Sequence, residues 1–171
     1  MNFYDALSNP ESRCHYLKNL NLGMKKEYVS NLIYINTVTD YCMDVDAHPS
    51  CKHFLVSGLK STINVYPFVF ENDFVQTETD FLSILFDHEC FHAMEYYQNP
   101  KLIVPAKNII PIERVNFFIN LELRAYNNQM QAIKNGRNVS ARFLSNLEAR
   151  IKNKNELKSS LEREDIIFSI A

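Results

Sequence analysis

Two histidines and a glutamate stand together in the run His88-Glu89-Cys90-Phe91-His92. On an α-helix, residues four apart share a face, with Cβ atoms roughly 5–6 Å apart. That spacing lets His88 and His92 grip one metal ion from the same side, while Glu89 projects beside the ion. Imidazoles suit zinc, and a carboxylate next to zinc suits a general base. The chemistry implied is hydrolysis by a metal-activated water. The plainer alternative is a pair of core histidines on an apolar helix face, with no metal.

Catalytic zinc sites take three protein ligands and keep one position for water, so a third donor must come from elsewhere. His48 and His53 precede the motif; Glu113, Glu122 and Glu148 follow it. Glu122 is the best of these. Ile112, Val115, Phe118 or Ile119, Glu122, Tyr126, Gln129 and Ile133 recur at steps of three or four, and Phe117, Leu121 and Leu123 make other sides apolar too. A carboxylate in the middle of such a helix needs a partner. That partner is a metal ion or, alternatively, a basic group such as Arg124. An oxyanion donor is also needed. Tyr126, one turn from Glu122, is the nearest candidate; Tyr96, His48 and His53 remain open.

The motif has to sit on a helix, and the flanking residues supply one. Thr77 is a candidate N-cap, with Asp80 three residues on to complete a capping box. Glu78 and Asp80 suit the positive end of the helix dipole. Leu82, Leu85, His88 or Glu89, His92 and Tyr96 carry a helical period, which stops at Asn99-Pro100. Before it, Phe3 to Leu22 reads as one or two short helices broken at Asn9-Pro10, with Gly23 as a C-cap. Tyr28, Leu32, Ile35, Val38 and Cys42 predict an amphipathic helix from Lys25 to Cys42. A polar loop from Asp44 to Ser50 follows, then a short strand from Lys52 to Ser57 with a turn at Gly58. Thr62 to Phe70 predicts a further strand, with Ile63, Val65 and Val69 on one face. Pro67 confines that strand to an edge, where a peptide can be held by strand addition; an ordinary edge strand is the equal alternative.

Beyond the motif, 100–111 is irregular and proline-rich. A helix runs from Pro111 to about Lys134, stopped by Asn135-Gly136. Asn138 or Ser140 caps a last helix to about Glu164, with a break expected near Asn153 to Asn155, before an apolar tail, Ile166 to Ala171.

Composition bounds the partners. The 171 residues suit one domain, with 46% hydrophobic and 22% charged residues. A net charge of −2 argues against a nucleic-acid partner. The sequence has no run of about eighteen apolar residues, so no membrane partner is expected. Without a basic segment and apolar core at the N-terminus, the expected compartment is the cytoplasm. Cys14, Cys42, Cys51 and Cys90 have no paired Cys-x-x-Cys spacing and read as small buried thiols. A Cys42–Cys51 bridge, or a second metal at His48, Cys51 and His53, is a minor alternative.

The pairing of His-Glu-Cys-Phe-His on one helix with Glu122-Leu-Arg-Ala-Tyr126 on a later one resembles the gluzincin metallopeptidases. These combine the HExxH motif with a glutamate on a following helix, often within E-x-x-A-D or E-x-x-x-D. The short chain is most similar to the single-domain minigluzincins, over roughly Lys25 to Lys134. The resemblance implies a zincin-like fold: α+β, helix-rich, with a small antiparallel or mixed sheet whose edge strand packs on the metal helix. The core would span 24–134 and a C-terminal helical extension with its tail 138–171. It also implies peptide-bond hydrolysis with one zinc ion on His88, His92 and Glu122, Glu89 as base, and a peptide or protein substrate. Tyr126 stands where those enzymes often carry an aspartate that orients a histidine ligand. Some small gluzincins are latent through a terminal segment that blocks the cleft, and Ile166 to Ala171 is the candidate for that role. The competing reading is a metal-binding domain of this fold that regulates or binds partners without cutting peptides.

Overall fold

The computed structural model describes residues 3–37, 39, 42–46, 60–102 and 111–170. Two helices open the chain, α1 (Phe3–Ala6) and α2 (Pro10–Asn19). They part at Asn9-Pro10 as expected. The Asn9 side chain caps α2 by accepting from the Ser12 N–H at 2.9 Å, and Pro10 occupies a first-turn position that needs no donor. Gly23 does not cap this helix. It opens a 3₁₀ turn over Gly23–Glu27 with φ of 53°, a conformation that favours glycine.

Among the described residues from Lys25 to Cys42 the expected α-helix is absent, and β1 (Val29–Tyr34) stands there instead. Of the five residues whose spacing predicts that helix, only Leu32 lies within the strand. Val29, Ile33 and Tyr34 are β-branched or aromatic and suit a pleated surface. Pairing decides the matter: β1 lies parallel to β3 (Ser61–Val65) and buries Val29. The polar loop expected from Asp44 begins as β2 (Met43–Asp46), antiparallel to β3. Its apolar side chains, Met43 and Val45, alternate with two aspartates.

The sheet order is β1-β3-β2. The strand before the motif is therefore central rather than at an edge, and the edges of this sheet are β1 and β2. Ile63 and Val65 are fully buried on their shared face, as expected. The strand stops short of Phe70 because Pro67, with φ of −50°, starts the short helix α3 (Phe68–Glu71). The expected strand 52–57, the Gly58 turn, His48, Cys51 and His53 lie outside the described residues. Cys42 carries a free thiol.

Thr77 forms the capping box with Asp80. Asp80 does more than close that box. Fully buried, it accepts from the Gln76 and Thr77 N–H groups through Oδ2 and from the Ser140 N–H through Oδ1 at 2.8 Å. It thus joins the start of the motif helix to the start of the last helix. Phe81, stacked on Phe70 at 5.4 Å and 5.5 Å from Phe3, anchors the same end in the aromatic core.

The motif helix has three parts: α4 (Glu78–Leu82), a π-helical stretch Ser83–Glu89, and α5 (Cys90–Gln98). π turns are rare and are frequently found at functional sites. After a 3₁₀ turn at Pro100–Leu102 comes α6 (Pro111–Lys134). It ends as expected at Asn135-Gly136, in a Schellman motif. Gly136, with φ of 106°, donates its N–H to Ile133 O, and Arg137 donates to Ala132 O, both at 3.0 Å. α7 (Ala141–Ile170) is unbroken over 30 residues. No proline or glycine interrupts it, and the Asn155 side chain bonds back to the Ile151 carbonyl at 3.0 Å rather than ending the helix. The described chain is thus helix-rich α+β with a three-stranded mixed sheet. None of its described helices is long and apolar enough to cross a membrane.

Candidate metal centre

His88 lies in the last turn of the π stretch and His92 one turn later in α5, both buried, with ring centroids 4.9 Å apart. Glu122 comes to them from the middle of α6. His92 Nε2 lies 3.3 Å from Glu122 Oε1, and His88 Nε2 lies 3.7 Å from Oε2. One donor atom from each of the three residues falls within 4.8 Å of the others. Among the described residues, no other histidine, cysteine or acidic group forms such a trio. Arg124, the alternative partner for Glu122, pairs with Glu95 instead, at 2.6 Å. Glu113 and Glu148 are exposed and stand apart.

The donors fit a divalent cation. His88 Nδ1 and both ring nitrogens of His92 are buried without a hydrogen-bond partner. Orphaned polar atoms are uncommon in protein interiors, and a metal ion resolves the one at His92 Nε2. Two neutral imidazoles with one carboxylate form a donor set that zinc accepts. Burial alone would raise the Glu122 carboxyl, but the two imidazoles beside it prevail and hold it far below the usual carboxylate range. Glu122 is therefore ionised, as a ligand must be.

Glu89 is buried next to the trio. Burial is the first cause that raises its pKa, with Glu122 and Asp44 adding to it, while His88 and His92 oppose. A raised carboxylate suits a proton acceptor working near neutral pH. The Tyr126 ring sits 4.5 Å from His88, and Tyr96 stacks on His92 at 6.2 Å. Burial pushes both phenols up to about 12, so each remains an O–H donor at neutral pH. Both line the same cavity, which leaves two candidates for the oxyanion donor.

That cavity, about 650 Å³, lies over the trio. Met43, Asp44 and Val45 of β2 form one wall, and α7 forms another from Phe143 to Leu157. Three bonds hold α6 and its C-terminal turn against the π stretch. Gln129 donates to Ser83 Oγ at 3.2 Å, Asn128 donates to the Asp87 carbonyl at 2.7 Å, and Arg137 donates to the buried Asp87 carboxylate at 2.9 Å. Glu122 is placed by the same packing.

Several participants escape a reading of the sequence. Glu95 Oε2 lies 3.9 Å from His92 Nδ1, and neither atom has a hydrogen-bond partner. Its position three residues after His92, on the same helix face, is a signal that spacing alone offers. The β2 and α7 walls carry no motif. No family model matches the chain, and comparison with curated proteins and with solved structures found no match.

Proposed function

We propose that this chain is a zinc metallopeptidase of the gluzincin kind, with a zincin-like arrangement of sheet, metal helix and glutamate helix. One observation carries the proposal: His88, His92 and Glu122 converge from two packed helices, with Glu89 beside them under a cavity. When bound, zinc supplies Lewis acidity that polarises a carbonyl and makes water more acidic. The chain's own groups do the rest. Glu89 accepts the proton of the attacking water and passes it to the departing amine. The Tyr126 hydroxyl donates a hydrogen bond to the carbonyl oxygen as negative charge develops there. β2, an edge of the described sheet that lines the cavity, offers a peptide its backbone groups for strand addition.

The test is Glu89→Gln, which removes the base and leaves all three ligands. Zinc content is expected to stay at one per chain while cleavage of a mixed peptide library falls by about 10²-fold or more. A wild-type chain that holds zinc and cleaves nothing would favour the alternative of a non-catalytic metal-binding domain.

A further inference from the structure

α7 runs along the cavity and presents Arg150 and Lys154 to it, four residues apart and so on one helix face. Three other cations of α7 have acidic partners, Arg142 with Asp73 at 2.8 Å, Lys152 with Glu156 at 3.9 Å and Lys158 with Glu162 at 3.9 Å, while Arg163, away from the cavity, bonds to the Ser159 carbonyl and to Ser160. Among the described residues, Arg150 and Lys154 have no carboxylate partner. Arg150 is nevertheless held in place. Its Nε donates to Asn146 at 2.8 Å, and its guanidinium carbon lies 5.0 Å over the Phe74 ring. Neither contact neutralises its charge. Lys154 is half-buried.

The rest of the cavity balances these charges only in part. Glu89 and Glu122 together match one divalent cation. Asp44, on the β2 wall, is engaged by Asn64 at 2.8 Å and by the Tyr66 hydroxyl at 2.9 Å. The neutral partners of Asp44 leave its own charge in place, so one uncompensated positive charge remains on the α7 side, in a protein of net charge −2. A guanidinium offers its donors as a fork that matches a carboxylate, and an ammonium one turn away adds a second charge.

We infer that Arg150 and Lys154 form an anion subsite on the α7 wall of the cavity that holds the metal trio, with Arg150 beside Tyr126, and that the preferred peptide presents a carboxylate to it. The inference rests on the peptidase reading for the identity of the ligand as a peptide. The carboxylate belongs to an acidic side chain or to a free C-terminus, and the test separates the two.

The full-length, zinc-loaded chain carrying Glu89→Gln is used, so binding is read without turnover. Four fluorescent peptides of one apolar hexapeptide sequence are titrated by anisotropy. The first has a free C-terminus and the second is amidated; the third and fourth are amidated with a central Glu or Gln. The free acid, the Glu peptide or both are expected to bind at least about tenfold more tightly than the neutral counterpart. Adding Arg150→Gln and Lys154→Gln abolishes the difference while zinc content and melting temperature are retained. Equal affinities, no binding by any of the four, or an advantage that survives the double substitution would overturn the subsite. Hydrolysis of the same peptides by wild-type chain is read separately. Cleavage with equal affinities removes the subsite and leaves the peptidase reading. A carboxylate preference without cleavage removes the peptidase reading and leaves an anion-binding metal pocket.

Discussion

Replacing Glu95 by alanine is expected to weaken zinc binding although Glu95 is not a ligand. His92 faces Glu122 through Nε2, and its other nitrogen, Nδ1, points to Glu95 Oε2 at 3.9 Å. Both atoms are buried without another hydrogen-bond partner. A carboxylate behind a ligating imidazole fixes the tautomer and the ring orientation and makes the ligand more basic. Two full charges at about 4 Å interact by roughly 4 kcal/mol at an effective dielectric of 20. A ligating imidazole is neutral and Arg124 shares the carboxylate, so only part of that is available. Losses of about 10–100-fold in affinity are usual for such partners, which correspond to about 1.4–2.7 kcal/mol. Glu95→Gln keeps an acceptor oxygen and is expected to recover much of the loss. The assay is a competition titration of zinc against a chromophoric chelator, with thermal unfolding of the metal-free variants beside it. Unchanged affinity in Glu95→Ala refutes the reasoning. So does an equal loss in both variants that tracks lost stability of the metal-free chain.

Arg137→Ala strands the buried Asp87 carboxylate. Breaking a fully buried pair costs about 3–5 kcal/mol; with Arg137 itself 28% exposed, about 2 kcal/mol is expected, or roughly 4–8 °C in Tm, by thermal unfolding. Combining it with Asp87→Asn is expected to restore part of the loss. The metal-free chain is expected to lose stability as pH rises from about 5.5 to about 8, by thermal unfolding in chelator. Burial lowers the His92 pKa, but Glu122, Glu89 and Glu95 outweigh it, so its contribution is complete below its ordinary 6.5 and fades as pH rises through the folded value. Asp87 and Glu89, raised chiefly by burial, add a cost as they ionise. Glu122, held low, acts only in acid, losing its contribution as pH falls below its ordinary 4.5. Truncation after Glu164 is expected to leave peptidase activity within about twofold, because the cavity wall of α7 ends at Leu157 and Ile166 lies nine residues farther along a helix rising about 1.5 Å per residue. A large gain in activity would restore the blocking role for the tail.

What the sequence made legible was local. Thr77 and Asp80 define a helix start by side-chain chemistry within one turn, and Pro111 and Asn135-Gly136 bracket α6 in the same way. Glu122 was legible because a charge in the middle of an apolar stripe demands a partner. The failures were non-local. β1 reads as a helix because Tyr28, Leu32, Ile35, Val38 and Cys42 step by three or four, and only its pairing with β3 settles the matter. Met43-Asp-Val-Asp46 is too short to announce a strand, yet it supplies one cavity wall. Strand order is likewise set by partners distant in sequence, so Pro67 suggests an edge for the strand before the motif, whereas the edges are β1 and β2. The π stretch that ends at Glu89 leaves no compositional trace. Nor does the choice of α7 as the facing wall, since it depends on the turn after α6 and the Asp80–Ser140 bond.

The most direct test of the whole account is X-ray absorption at the zinc edge on the full, zinc-loaded chain. One zinc per chain is expected, with two imidazole nitrogens at about 2.0–2.1 Å and carboxylate oxygen at about 2.0–2.2 Å, and no sulfur. One imidazole is expected to disappear in His92→Ala. Zinc that fails to bind stoichiometrically, or a shell of cysteine sulfur in place of the imidazoles, would contradict it.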